Sequence, residues 1–311
     1  MRLFQSLLLF SLLHYAHCAL VKPPPLLFND TIRIIATGGA VTASSLASGV
    51  SFFQTTYHLR VLQDPHVLDV DMYYAGTDTI RASSVLSALS EPGTSALWAA
   101  RGGYGTARII SLVQNAAIRK WLIGYSDVTA LHALWNKEGF LSLHGPMGSD
   151  ITSFSSTARQ LTIDILSHTV SSASYPGSIR YGTSSVSGVF LGGNLSVLSS
   201  LVGSGFLPSY AGAILFIEDT GEAAYSWDRM LTQLLRSEEL AGIVGIAIGQ
   251  MVGADTTGYT ALELLDRTLA PLGIPVITGI QVGHSTATAL PLVLGSDATI
   301  DVANGRLLTK F

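Results

Sequence analysis

Short apolar runs that stop at or near glycine, most of them followed by helical spacing, dominate the first half of this 311-residue chain. Ile32–Ala36 runs into Gly38-Gly39, Ala96–Ala100 into Arg101-Gly102-Gly103-Tyr104-Gly105, and Trp121–Ile123 into Gly124. His58–Leu62 reads as a further strand, and Thr79–Leu89, Ala107–Asn115 and Val128–Gly139 read as helices. Runs this short, alternating with segments of period 3.6, specify parallel strands joined by crossover helices. Such a sheet is covered on both faces, and its ligand sites lie at the carboxyl ends of its strands. The Arg101–Gly105 turn and Ser126 both fall at such ends. Ser44–Thr56, rich in Ser, Ala and Phe, has no clear period and reads equally as helix or loop.

Ser126 lies between the buried run Trp121–Gly124 and a helical stretch in which Val128, Leu131 and Leu134 recur. A hydroxyl on a strand-to-helix turn projects from the end of the sheet and shares that space with the first helical N–H groups. Serine is equally an ordinary helix cap. Two other apolar strands end in reactive side chains. Ala213–Ile217 runs into Glu218-Asp219, and a carboxylate leaving a core strand is expensive unless it is paired. The stretch through Val276–Thr278 leads by glycine to His284. A cap and a satisfied polar histidine are the plain readings of these two. Taken together, hydroxyl, imidazole and carboxylate are the parts of a hydrolytic triad, although spacing alone does not bring three distant positions together.

Composition narrows the possibilities. Charged residues make up 12% of the chain, half the usual share, so the surface relies on Ser, Thr, Gly and Asn. A net charge of −4 without any Lys/Arg run gives no footprint for nucleic acid. One cysteine, Cys18, and eight histidines without paired spacing indicate neither a metal site nor any other cofactor. The length suits two domains. Residues 30–151 form the expected α/β unit, the serine-rich 152–186 a connector, and 187–311 a β-rich unit ending in a hairpin of Ala298–Val302 with Leu307–Thr309. Residues 1–19 read as a secretory signal peptide: Arg2, the apolar run Leu7–Leu13, and small residues at Ala16 and Cys18. The apolar run is too short to span a bilayer comfortably, and no span is expected in the mature chain. A retained signal anchor is the alternative. If the chain is exported, Asn29-Asp30-Thr31 is a glycosylation sequon.

Six segments in order resemble the LD-carboxypeptidase family of serine peptidases. They are Ala99–Gly105, Gly124-Tyr125-Ser126-Asp127, His144-Gly145-Pro146-Met147, Gly192-Gly193-Asn194-Leu195, Ile217-Glu218-Asp219 with Asp228-Arg229-Met230-Leu231, and Gly279–His284. The resemblance runs from Ile32 to Thr309 and includes murein tetrapeptide carboxypeptidases and microcin C self-immunity proteins. It implies Ser126 as nucleophile, Glu218 as carboxylate and His284 as base. It further implies a Rossmann-like N-terminal domain with a parallel sheet, a β-rich C-terminal domain, an active site at their interface, a homodimer and no metal. The opening Ala36-Thr37-Gly38-Gly39, the Ser44–Thr56 stretch and the exported leader depart from the family's pattern, and they bear on the substrate.

On that footing the expected reaction removes a C-terminal D-amino acid from an L,D-peptide, as in a peptidoglycan-derived tetrapeptide. His284 takes the Ser126 proton and Glu218 orients the imidazole. The N–H groups of Asp127 and Gly103 would hold the oxyanion, glycine allowing close backbone approach; the Asp127 side chain could also cap a helix. Arg101 and Arg229 are candidates for the substrate carboxylate or for structural ion pairs. The alternatives are an amidase of a non-murein acyl adduct and a silent ligand-binding protein. For the leader, exported protein is expected to begin near Ala19 or Leu20 and to contain no cysteine. Intact-mass analysis finding Met1–Leu20 retained on soluble intracellular protein would contradict export.

Overall fold

The computed structural model describes residues 20–253 and 258–311, so the expected leader 1–19 lies outside the described residues. In the first half, strands and helices alternate: β1 (Thr31–Ile35), α1 (Ala43–Thr55), β2 (Arg60–Gln63), α2 (Asp78–Ser90), β3 (Thr94–Ala99), α3 (Thr106–Val113), β4 (Trp121–Gly124), α4 (Thr129–Lys137) and β5 (Ser142–His144). Strands β2, β1, β3, β4 and β5 pair in parallel in that order; the expected strands are β1 to β4, and β5 adds a fifth. Trp98, Trp121 and Trp135 are fully buried around this sheet. The stretch without a clear period is α1. It is capped by the Thr42 hydroxyl and buries only Leu46, Gly49 and Phe53. One of its inward positions is glycine, because a Cβ at Gly49 would lie 1.7 Å from the Gly148 carbonyl oxygen. That missing side chain erased the helical period.

The second half continues with α5 (Ser156–Leu166), β6 (Ser172–Pro176), β7 (Ser178–Tyr181), β8 (Val186–Asn194), α6 (Leu195–Ser200), β9 (Ile214–Thr220), α7 (Ala224–Leu235), β10 (Gly245–Val252), α8 (Ala261–Leu269), β11 (Val276–Thr278), β12 (Leu292–Leu294), β13 (Asp297–Asp301) and β14 (Arg306–Lys310). An eight-stranded sheet has the order β6-β14-β13-β8-β9-β10-β11-β7. Its centre, β8 to β11, is parallel, and its flanks are antiparallel. The two end strands, β6 and β7, are separated in sequence by Gly177 alone, so the sheet curls until its edges are joined by one residue. The expected hairpin is β13–β14.

Two placements differ from the expected division of the chain. Segment 152–186 contains a helix and two strands of the second sheet, β6 and β7. Its serines read as a connector because both strands are largely exposed, so little of their sequence needs to be apolar. Conversely, β12 leaves the second half and pairs antiparallel with β5 at the edge of the first sheet, Val293 opposite Leu143. The loop between β11 and β12 therefore passes from one sheet to the other, and His284 sits on it.

Candidate active site

β4 delivers the chain to the end of the first sheet, and a three-residue 3₁₀ turn, Ser126–Val128, leads into α4. Ser126 has φ of +60°, the left-handed region that serine seldom adopts. Strain of this kind on a strand-to-helix turn holds a side chain clear of the sheet end, the arrangement of a nucleophile elbow. Gly102 faces it. A Cβ there would lie 3.1 Å from Ser126 Cβ and 3.3 Å from its Oγ, so glycine keeps the hydroxyl open.

Glu218 comes from the buried strand β9 and has no solvent exposure. Its Oε2 lies 2.6 Å from His284 Nδ1, which leaves Nε2 of the ring to face outward. Ser126 and His284 line one cleft of about 230 Å³, together with Arg101, Gly103, Tyr125 and Asp150. Burial pulls the His284 pKa down, but the hydrogen bond and charge of Glu218, together with the charges of Asp219 and Asp150, outweigh it, and the net shift is upward. The three strand-end residues are thus brought together: hydroxyl and imidazole in the cleft, carboxylate behind the imidazole.

The Arg101–Gly105 turn forms the adjoining wall and is held from several sides. The Gly102 carbonyl accepts from Gly39 N–H at 2.9 Å, and the N–H groups of Gly148 and Ser149 bond to the Ala99 and Ala100 carbonyls. Arg81, fully buried, donates to the carbonyls of Gly105 at 2.7 Å and Thr37 at 2.6 Å. Gly103 has φ of +95°, which favours glycine, and a Cβ there would also lie 3.3 Å from the Gly39 nitrogen. The Asp127 side chain is a cap, though not of its own helix. Its Oδ2 accepts from Thr106 N–H at 2.9 Å and Thr106 Oγ1 at 2.6 Å, supplying the N-terminus of α3 with the partner that Gly105 lacks. Burial raises the Asp127 pKa, with the Thr106 bonds opposing. Arg101 is an exposed wall residue whose Nη1 donates to the Ala40 carbonyl at 2.5 Å. Arg229 lies exposed on α7 and does not line this cleft. Among the described residues, no group of three or more His, Cys, Asp or Glu could hold a metal ion. Nor is any described helix long and apolar enough to cross a membrane.

Several residues at the site escaped the sequence reading. Asn194 ends β8, and its Nδ2 donates to Glu218 Oε1 at 3.4 Å and to Asp219 Oδ1 at 3.0 Å. Its own N–H donates to Thr129 Oγ1 on α4 at 2.9 Å. A hydrogen-bonded path therefore runs from the helix that follows Ser126, through Asn194, to Glu218 and His284. The Gly192-Gly193 pair was its signal: both have φ near +145°, and a Cβ at Gly193 would lie 2.6 Å from Thr129 Oγ1. Asp219 itself caps α6, accepting from Ser196 N–H at 3.0 Å, and burial pushes its carboxyl up to about 6. Asp150 accepts from the Tyr125 hydroxyl at 2.7 Å, and the Tyr125 ring meets His284 edge-on at 5.0 Å. Burial lifts the Asp150 carboxyl to about 6, with the Tyr125 bond opposing.

Beneath the nucleophile turn lie two buried imidazoles, His132 and His144, with ring centroids 6.3 Å apart. Burial lowers both pKa values, His132 to about 4. The native protein keeps His132 neutral where the unfolded chain protonates it. Its contribution is therefore intact above 6.5 and is lost as pH falls towards 4. That window corresponds to roughly 3 kcal/mol. Asp150 and Asp219 act with the opposite sign, their contribution being lost as pH rises from 3.8 to about 6. In a comparison with His132→Leu they cancel. Denaturant unfolding at pH 7.5 and 4.5 should show wild type losing more stability than the variant by an amount of that order; parallel losses would contradict the assignment.

Known proteins resemble this chain in sequence and fold. Residues 32–145 match the profile of the LD-carboxypeptidase N-terminal domain, and residues 187–300 that of the C-terminal domain. A Streptomyces coelicolor protein provisionally named a carboxypeptidase is 34% identical, the alignment covering 93% of this chain and 96% of that one. The murein tetrapeptide carboxypeptidase of Pseudomonas aeruginosa is 26% identical, with coverages of 82% and 88%. The crystal structure of muramoyltetrapeptide carboxypeptidase from Oxalobacter formigenes superposes with a TM-score of 0.79 at 26% identity, covering 90% of this chain and 97% of that one. The N-terminal profile runs from β1 to β5 and the C-terminal profile from β8 into β13, and the cleft draws His284 from the second and its other lining residues from the first or just beyond it. The chain belongs to the LD-carboxypeptidase family and is a serine-type carboxypeptidase.

Proposed function

We propose that this protein cleaves an L,D-peptide bond and releases a C-terminal D-amino acid, with muropeptide tetrapeptides as substrates, by a Ser126–His284–Glu218 triad. The observation that carries the reading is the 2.6 Å bond from His284 Nδ1 to a fully buried Glu218, which leaves Nε2 for the cleft that Ser126 lines. His284 accepts the Ser126 proton as Oγ attacks the scissile carbonyl, then returns it to the leaving amine. Glu218 holds the ring in the required tautomer and stabilises its cation. Water, activated by the same imidazole, hydrolyses the acyl-enzyme. The N–H groups of Gly103 and Asp127 flank the serine and stabilise the oxyanion. Each such donor contributes about 10²–10³ in rate. Arg101, on the exposed wall, is the residue suited to the terminal carboxylate of the substrate. The similarity to a murein tetrapeptide carboxypeptidase supports the choice of substrate.

Export of the protein, and its work as a homodimer outside the cytoplasm, belong to the same proposal. They rest on the leader-like segment and on the family resemblance.

Incubating the mature chain with a muropeptide tetrapeptide should release terminal D-alanine, detected by mass spectrometry. Ser126→Ala should abolish that release without moving the thermal midpoint. Glu218→Gln should lower kcat/KM by about 10⁴-fold, as for the acid of the serine-protease template. Because Glu218 raises the His284 pKa, kcat/KM in wild type should rise with pH through a midpoint above 6.5, and Glu218→Gln should move the midpoint down. Near-normal turnover by folded Ser126→Ala would exclude it as nucleophile. Turnover of a non-murein acyl adduct in place of the tetrapeptide would favour the amidase reading.

A further inference from the structure

The pairing of β9 with β10 is regular from Gly245–Ile214 to Ile248–Ile217, then resumes one residue out of step at Met251–Asp219. Two residues of β10, Gly249 and Gln250, therefore oppose the single residue Glu218. This is a β-bulge, a device that re-aims a side chain beside a functional group. Gly249 allows it by close approach: a Cβ there would lie 2.4 Å from the Val282 carbonyl oxygen and 3.1 Å from Glu218 Cβ. The bulge sends the Gln250 side chain onto the loop that carries His284. Gln250 Oε1 accepts from Ser285 N–H at 2.7 Å, the peptide group that directly follows His284. Gln250 Nε2 donates to Thr288 Oγ1 at 2.9 Å and to Gln281 Oε1 at 3.2 Å. Its main-chain N–H donates to the Val282 carbonyl at 2.8 Å. One residue thus grips the loop before, just after and beyond the histidine.

The grip matters because of where it falls: within the loop the Leu290 N–H reaches the Gln281 carbonyl and the N–H groups of Thr288 and Ala289 reach the Ser285 carbonyl, whereas the Ser285 N–H, next to His284, is taken by Gln250. Gln281, Ser285 and Thr288 are exposed, and Gly283, with φ of +145°, lies against Gln250 Cβ and Glu218 Oε2. Glu218 holds one nitrogen of the imidazole and the Tyr125 ring packs edge-on against it, so the aim that remains to be set is that of the chain carrying the ring. The direction of Nε2 depends on where the main chain at 284–285 is held.

Resting on the triad reading above, we propose that Gln250 is a positioning residue for His284: its side-chain amide, aimed by the bulge opposite Glu218, fixes the backbone at Ser285 and so points Nε2 at Ser126. It touches no reacting atom. Its loss should therefore appear in kcat, with KM little changed, since misplacement of a reacting group by about 1 Å costs on the order of 10² in rate.

The test compares wild type, Gln250→Leu and Gln250→Glu in the full chain, by tetrapeptide kinetics and by the rate of fluorophosphonate labelling of Ser126. Gln250→Leu keeps the packing and removes the amide. It should lose on the order of 10² in kcat and in labelling rate, with KM within about twofold. Gln250→Glu still offers an oxygen to Ser285 N–H. It should retain most of kcat, while its added negative charge raises the midpoint of the pH profile. Gln250→Leu labelling and turning over within threefold of wild type would overturn the proposal. So would Gln250→Glu proving as impaired as Gln250→Leu, or a loss in Gln250→Leu confined to KM. Should wild type itself resist labelling, the triad reading falls and this proposal with it, an outcome distinct from equal labelling of all three proteins.

Discussion

A carboxylate with no solvent exposure must be matched by hydrogen bonds and an opposing charge, and the surroundings of Glu218 determine how the two halves of this protein meet. One oxygen faces His284 Nδ1, and the other faces the Asn194 amide. Asn194 in turn is tied by its N–H to Thr129, one turn beyond Ser126 on the other sheet's helix. Ser126 and His284 are consequently related twice, across the cleft that both line and through a buried polar path behind it. Removing any member of that path would strand a buried donor or acceptor, at a cost of about 1–3 kcal/mol. The same path that assembles the site therefore also holds the sheets in register.

Glycine makes the close approaches possible. Gly193 admits the Thr129 hydroxyl, Gly102 admits the Ser126 side chain, and Gly249 admits the Val282 carbonyl beside Glu218. The return of β12 to the first sheet adds a second constraint, because the His284 loop is anchored at one end in each sheet. Ser126 bears the local cost of this assembly in its left-handed backbone. The clamp on the Arg101–Gly105 turn by Arg81 and Asp127 fixes the wall opposite.

Much of this was legible in the sequence wherever one short run determined one outcome. Apolar runs closed by glycine pointed to parallel strands, and strand-end positions singled out Ser126, Glu218 and His284, which the fold brings together. What stayed hidden depends on partners far away in sequence. The Asp127 side chain reads as a local cap, but it serves α3, and only the fold brings Thr106 to it. Asn194 stood in a recognised Gly-Gly-Asn segment without a role, since nothing local shows that Glu218 lies on the neighbouring strand. The strands β6 and β7 do alternate, Ser-Ala-Ser-Tyr and Ser-Ile-Arg-Tyr, but each is so short, and its outward positions so polar, that the segment reads as a connector. Arg229, chosen beside Arg101 for the substrate carboxylate, lies on the exposed face of α7, away from the cleft.

The central claim is that the Thr129–Asn194 link acts on chemistry through Glu218 and His284, and a double-mutant cycle on kcat/KM tests it most directly. Thr129→Val removes the hydroxyl that accepts from Asn194 N–H while keeping the shape against Gly193. Measured alone it should lower kcat/KM by about tenfold, and in a Glu218→Gln background it should cost little more, giving a coupling of about 1 kcal/mol or above. Losses that add to within about 0.5 kcal/mol would show that Thr129 and Glu218 act independently and would contradict the account.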